Sequence, residues 1–277
     1  VAKGFGVANK LLTDAAGVEH SRAEPDARIV SLVPSLTELL FDLGLGERVV
    51  GRTRYCIHPA VDVRTVPVVG GTKELDMQAF AAVRASHAIV NVDENRREMA
   101  NAIAAMGVRV VVTHPLTPQD NIGLYRLFGE LFGAPAASER LVRDFTEALE
   151  RLRMASTCLP TRKVLYLIWR KPWMTVSRAT YISRTLALVN WITAEQSDDA
   201  RYPTLTDPGP LLAKSDLVLL SSEPFPFQDR HINELRLLCP SARARLALID
   251  AQMVSWYGSR AIAGLDYLLQ FALKMRD

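Results

Sequence analysis

Apolar and polar residues recur along this chain in two rhythms. One steps by three and four; the other is a series of short, nearly continuous apolar runs. The longest stretch of the first kind is Ala136 to Ser156, where Leu141, Val142, Phe145, Leu149 and Leu152 form one apolar stripe between charged residues. It predicts a helix about 30 Å long at 1.5 Å per residue. Pro135 sits at its start and Pro160 stops it. Glu147 and Arg151 are spaced as an i,i+4 ion pair on its surface.

The apolar runs predict strands at Arg28–Leu32, Val49–Thr53, Ala88–Val92, Val108–Thr113, Lys163–Trp169, Leu217–Leu220 and Leu246–Asp250. A leading strand or hairpin is expected near Leu11 to Glu19. Helices fall between the runs. One opens at Pro34, with Ser35 and Glu38 spaced as a capping box, and ends near Gly44 or Gly46. Others cover Leu75–Arg84, a stretch capped by Asp93, Glu94 and Asn95 and running to Met106, and Gln119–Phe132. In the second half, helices follow the loop Arg170–Ala179, span Gln228–Leu238, and close the chain from Gly258 to Lys274. Val66–Gly71 ends in a Gly-Gly turn, and Tyr202-Pro203 and Asp207–Pro210 read as turns.

Strand and helix alternate on both sides of the long helix. That predicts an α/β fold of two Rossmann-like lobes with parallel sheets, joined by one long backbone helix. The expected domains are 1–133, a linking helix in 134–160, and 161–277. An internal repeat supports two copies of one lobe: Ser86 to Glu94 lies over Ser215 to Glu223 without a gap, matching a serine before the strand and a glutamate after it.

The length of 277 residues suits two medium domains. A net charge of +3, with arginines scattered rather than clustered, argues against a nucleic-acid partner. No apolar run approaches the roughly 18 residues of a membrane span. Cys56, Cys158 and Cys239 include no C-x-x-C, and their odd number leaves one thiol over; whether two pair is open. The first residues, VAKGFGVANKLLTDAAG, carry no leader pattern, so a periplasmic location holds if a leader was removed and a cytoplasmic one otherwise.

Open parallel sheets bind ligands beyond the carboxyl ends of their strands. In the first half those positions are Pro34, Ser35, Tyr55, His58, Gly71, Thr72, Asp93, Glu94 and His114. In the second they are Trp169, Trp173, Tyr202, Glu223 and the run Ser255–Arg260, which includes Trp256 and Tyr257. Facing each other, such edges would make a cleft of aromatic walls with a few hydrogen-bonding groups, suited to a bulky, partly apolar ligand. Arg260, in the first turn of a helix, stands at the wrong end of the dipole and calls for an anionic ligand group or a carboxylate partner. Walker, G-x-S-x-G and H-E-x-x-H patterns are absent. A bare-ion site built from His58, His114 and His231 is one alternative. An enzyme with Glu94 and Glu223 as an acid–base pair, one with a raised pKa, is another.

Several stretches together resemble the helical-backbone receptors, the substrate-binding proteins of ABC importers for cobalamin and iron–siderophore complexes. They are RIVSLVPSLTELLFDLGLGERVVGRTRYCIHP, GGTKELDMQAFAAVRASHAIVNVDENRRE, LIWRKPWMTVSRATYISRTLA, LLSSEPFPFQDRH and SWYGSR. The resemblance runs from about Arg28 to the end and is nearest the cobalamin branch. It implies two α/β lobes on one long helix and a cobalamin-like corrinoid or another metal chelate, with iron–siderophore or heme as the alternative. It further implies a monomer that is not an enzyme and has no cofactor of its own. Pro34, Tyr55, Tyr202, Trp256, Tyr257 and Arg260 fall near family binding positions. The family's two permease-docking glutamates are departed from: Gln78 stands at the first, and only Asp207 could serve at the second. An orphan receptor without a transport partner stays open on that account.

Overall fold

A computed structural model describes residues 12–194 and 200–276. By contacts the chain divides into two compact units. The first holds the described residues through His114 together with Asn121–Arg143, and the second holds Pro115–Asp120 and everything from Asp144 onward.

The first unit begins with a hairpin, β1 (Leu12–Thr13) and β2 (Glu19–His20). It matches the expected leading hairpin, of which Leu11 lies outside the described residues. There follow β3 (Ile29–Ser31), α1 (Pro34–Asp42), β4 (Val49–Arg52), α2 (Met77–Ala82), β5 (His87–Asn91), α3 (Arg97–Ala105), β6 (Arg109–Thr113) and α4 (Asp120–Phe132). The sheet order is β4-β3-β5-β6, parallel throughout. One side of it packs on α2 and α3 through Val30, Leu32, Phe80, Ala88, Val90, Met99 and Ile103, all buried.

α5 (Pro135–Ser156) is the long helix, and its 22 residues span about 33 Å at 1.5 Å each. All five stripe residues named from the sequence are buried, with Phe145 fully so. The expected Glu147–Arg151 pair does not form; Arg151 turns to Asp266 at 3.2 Å instead. Near its start α5 meets α4 closely, at Gly129 against Ser138.

The second unit carries β7 (Arg162–Trp169), β8 (Trp173–Thr175), α6 (Tyr181–Ala187), β9 (Trp191–Thr193), β10 (Thr204–Leu205), α7 (Gly209–Lys214), β11 (Leu217–Ser221), α8 (Asp229–Leu238), β12 (Arg245–Ile249), α9 (Ala251–Ser255) and α10 (Arg260–Lys274). Its order is β10-β8-β7-β11-β12, with β9 also on β7. The central strands are parallel as expected, but β8 runs antiparallel to both its neighbours, β7 and β10. Where the sequence predicts a loop from Arg170, Lys171, at φ 64°, turns the chain back so that Trp173–Thr175 pair with β7. Three residues after a proline carry too little pattern to announce a strand.

Two capping expectations fail. Pro34 takes the first helical position of α1 and Val33 the cap, so Ser35 lies one residue inside and caps nothing. α3 starts at Arg97 with no side-chain cap, because Asn95 is engaged elsewhere. A capping box that was not expected opens α8, where Gln228 and His231 exchange bonds. All three cysteines are free thiols.

The internal repeat is real in the strands but one residue out of register. Ser86 Oγ accepts from the Arg28 N–H at 2.9 Å, and its carbonyl accepts from Arg109 N–H. In the second unit Asp216 does both jobs: Oδ2 accepts from Lys163 N–H at 2.7 Å, and its carbonyl accepts from Arg245 N–H. Ser86 therefore answers to Asp216, not Ser215, and Asp93 rather than Glu94 answers to Glu223.

Two outcomes follow for stability. A side chain added at Gly129 lands on Ser138, so Gly129→Ala should lower unfolding free energy by about 2 kcal/mol in denaturant titration; a neutral result would show that α4 and α5 can part. Burial first, then Arg109, His20 and Arg48, pulls the His87 imidazole down to about 4 from 6.5. The unfolded chain then binds the extra proton more readily, so stability present above 6.5 is lost as the pH falls through about 4. His87→Phe, which keeps a ring against Phe132, should flatten that stretch of the melting-temperature profile. An unchanged profile would assign the loss to other groups.

Candidate functional site

In the first unit the strand ends are organised by Arg52, which the sequence placed only inside a strand, and by Asn95, which it placed only as a helix cap. Arg52, closing β4, donates Nε–H to the carbonyls of Val63 and Val66, and Nη1–H to those of Thr53 and Cys56. One guanidinium thus shapes the loop that carries Tyr55 and His58. Asn95 donates to the carbonyls of Leu32 (3.1 Å) and Thr72 (2.9 Å) and accepts from the Asn91 N–H (2.8 Å). It ties the end of β3, the Gly-Gly turn and the end of β5 together. Their only sequence signal was position: an arginine inside an apolar run, and an asparagine just past a strand.

Tyr55 is 54% exposed. Its ring lies beside Gly71, where an added methyl group would come within 3.4 Å of it. Thr72 is half-buried, and its carbonyl is the one Asn95 holds. Lys73 Nζ donates to the Asp93 carbonyl at 3.0 Å. Burial lowers the Lys73 pKa, while Glu94 and Asp93 oppose that shift. His114 stands 3.6 Å from the Asp93 carboxylate. Pro34 and Ser35 are buried, and the Ser35 hydroxyl has no hydrogen-bond partner. Tyr55, Thr72, Asp93, Glu94 and His114 are thus all reached by solvent, while Pro34 and Ser35 are closed off.

The second unit supplies the rings. Trp169, 38% exposed, meets Phe225 edge-on at 5.7 Å. Trp173 stacks on Phe227 at 6.1 Å, and Arg170 lies 5.8 Å above it. Phe225 and Phe227 both pack edge-on against His231. These two phenylalanines join Trp169 and Trp173 into one cluster, and the sequence reading missed them; their alternation with proline in Glu223–Phe227 was the available signal. A cavity of about 340 Å³ lies beside Trp173, between Arg170, Lys171, Thr204, Thr206 and Glu234. Tyr202, half-buried, lies two residues before the short edge strand β10.

A second cavity, about 490 Å³, opens past the ends of β11 and β12, lined by Ser222, Glu223, Phe227, Asp250 and Gln252 among others. The Trp256 indole N–H donates to Glu223 Oε1, and Arg260 lies over the indole at 5.2 Å. Burial pushes the Glu223 carboxyl up and Asp250 adds to that; the Trp256 and Gln252 donors and Arg260 pull the other way. Trp256 and Tyr257 are only 8% and 7% exposed, the first drawn inward by Glu223 and the second packed on Tyr181. In this structure they support the surface rather than forming an open wall.

The bare-ion alternative loses its ligand set. His231 Nδ1 accepts from the Gln228 N–H at 2.9 Å, spending it on the start of α8. Among the described residues no group of three or more His, Cys, Asp or Glu side chains could hold a metal ion. Of the proposed acid–base pair, Glu223 has the raised pKa, but its oxygens are already occupied by Trp256 and Gln252. Gln78 and Asp207 are both exposed, and Asp207 Oδ1 accepts from the Gly209 N–H at 2.8 Å.

No family model matches the chain. Among curated proteins, it is 18% identical to a vitamin B12-binding protein of Photorhabdus laumondii over 260 residues, 94% of this chain and 93% of that one. It is 20% identical over 183 residues, 66% of each chain, to the vitamin B12-binding protein of Vibrio parahaemolyticus. Among solved structures it matches the periplasmic heme-binding protein RhuT from Roseiflexus sp. RS-1 with a TM-score of 0.78 and 22% identity, covering 91% of this chain and 99% of that. It matches the periplasmic vitamin B12 binding protein BtuF of Vibrio cholerae at 0.75 and 15%, covering 90% and 98%. The chain has the fold of these periplasmic binding proteins. No helix among the described residues is long and apolar enough to cross a membrane.

The loop after β4 is only as firm as its anchor. Arg52→Ala leaves several loop carbonyls without a donor and should destabilise the chain by about 3 kcal/mol. Hydrogen exchange should rise first in residues 53–66; protection there equal to wild type would show that the loop holds itself.

Proposed function

We propose that this chain is the ligand-capturing protein of an ABC importer and that it takes a corrinoid or a closely related metal chelate. The observation that carries this reading is the match to a vitamin B12-binding protein along 94% of the chain. The rings at the strand ends agree with it: Tyr55 in one unit, and Trp169 and Trp173 in the other, offer flat apolar faces beside polar groups. In this reading residues 1–133 and 161–277 are the ligand-holding lobes, 134–160 is the stiff link, and the working compartment is the periplasm. Pro34, Ser35, Thr72 and Glu94 complete the strand-end surface of the first unit, and Tyr202, Glu223, Trp256, Tyr257 and Arg260 that of the second, as ligand contacts or as their supports. The protein works as a monomer, and docking on a permease has one carboxylate, Asp207, and one neutral amide, Gln78, to work with.

Heme is the second reading, and Tyr55 favours it. An exposed phenol, with His58 in the same loop, offers iron-ligating atoms. RhuT, similar in fold, is a periplasmic heme-binding protein.

Visible-range titration with cobalamin and with hemin separates the two. Cobalamin binding at micromolar or tighter, about 8 kcal/mol, is expected, with Tyr55→Ala weakening it about tenfold. No cobalamin binding at about 100 μM, alongside a hemin band lost in Tyr55→Phe, would replace the corrinoid by heme.

A further inference from the structure

Two neighbouring residues at the end of β11 hold a whole segment of the second unit. Ser222 Oγ accepts from the Ala251 N–H, at the first residue of α9, at 2.9 Å. Glu223 reaches both ends of the same helix. Gln252 Nε2 donates to one carboxylate oxygen at 3.4 Å, and the Trp256 indole N–H donates to the other. α9 has five residues, too few to be stable alone. Its position is bounded on the other side by α10, where any side chain at Gly264 would run into the Met253 carbonyl. Trp256, immediately after α9, then carries Arg260 on its face at 5.2 Å.

We propose that Glu223 is a positioning residue: its carboxylate sets the indole of Trp256, and through that ring the guanidinium of Arg260, and it does not itself touch the ligand. Both of its oxygens already accept from protein donors, one at each end of α9. A charged acceptor for an indole N–H is stronger than a neutral one and fixes the ring's direction. The buried ring in turn gives Arg260 a flat support, which narrows the places its charge can occupy. What the placed groups bind rests on the function proposed above; the latch does not.

The test is made on the whole chain by following Trp256 emission, read as the difference between each variant with and without Trp256→Phe, alongside cobalamin and hemin titrations. Glu223→Ala should move Trp256 emission to longer wavelength and weaken ligand binding about tenfold or more. Glu223→Gln, whose amide oxygen still accepts from the indole, should restore most of both. Gln252→Ala, which removes the longer of the two bonds, should give a smaller shift in the same direction. Unmoved emission in Glu223→Ala overturns the proposal. So does an equal loss of binding in Glu223→Ala and Glu223→Gln with emission unmoved, which would put the carboxylate on the ligand. If Glu223→Ala does not fold, Glu223→Gln and Gln252→Ala carry the comparison. If the wild-type chain binds neither ligand, the transport reading fails, and the emission arm alone decides the latch.

Discussion

A parallel sheet ends every strand on the same side, and the loops that leave it there have backbone groups that no strand can satisfy. Everything distinctive in this chain answers that constraint with side chains. In the first unit Arg52 and Asn95 donate to six carbonyls between them, counting four for the guanidinium and two for the amide. In the second, Ser222 and Glu223 accept from the segment after β12. The two solutions are opposite in sign. One unit uses donors to gather backbone carbonyls; the other uses acceptors to gather the Ala251 backbone N–H and the side-chain N–H groups of Gln252 and Trp256. In the second unit this leaves the Trp256 indole in a fixed direction.

The architecture was legible because helix and strand alternate with strong periodicity, and periodicity survives tertiary context better than any other signal. The stripe on α5 is the clearest case: Leu141, Val142, Phe145, Leu149 and Leu152 are all buried. Local chemistry was less legible. Ser35 looked like a cap because its spacing to Glu38 is right, but Pro34 enters the first turn and moves the boundary back by two residues. His231 looked like a metal ligand, and its imidazole instead serves the first turn of α8. In each case a short polar motif had two uses, and only the neighbouring element decided between them.

The repeat shows the same limit at the level of register. Serine and glutamate match in sequence at 86/215 and 94/223, yet the hydrogen bonds pair Ser86 with Asp216. A strand fixes register through backbone ladders, and a shift of one residue turns every side chain to the other face. What the two units share is therefore a role rather than a residue: a side-chain oxygen just before the second strand, accepting from the N–H at the start of the first. Sequence identity was the wrong quantity to align; the acceptor's position was the right one.

Rigidity at the strand ends also bears on what each surface would cost to bind. Ordering a rotamer-rich side chain on binding costs about 0.5–1.5 kcal/mol each. The surface of the second unit lowers that cost in advance. Trp169, Trp173, Phe225 and Phe227 pack on one another, Arg170 is held by Glu234, and Trp256 is bonded to Glu223. The first unit does less of this, since Tyr55 is exposed and Gly71 beneath it offers no side chain to grip the ring. The aromatic cluster of the second unit is therefore set before anything touches it, whereas the Tyr55 ring of the first unit is left to be ordered by whatever it meets.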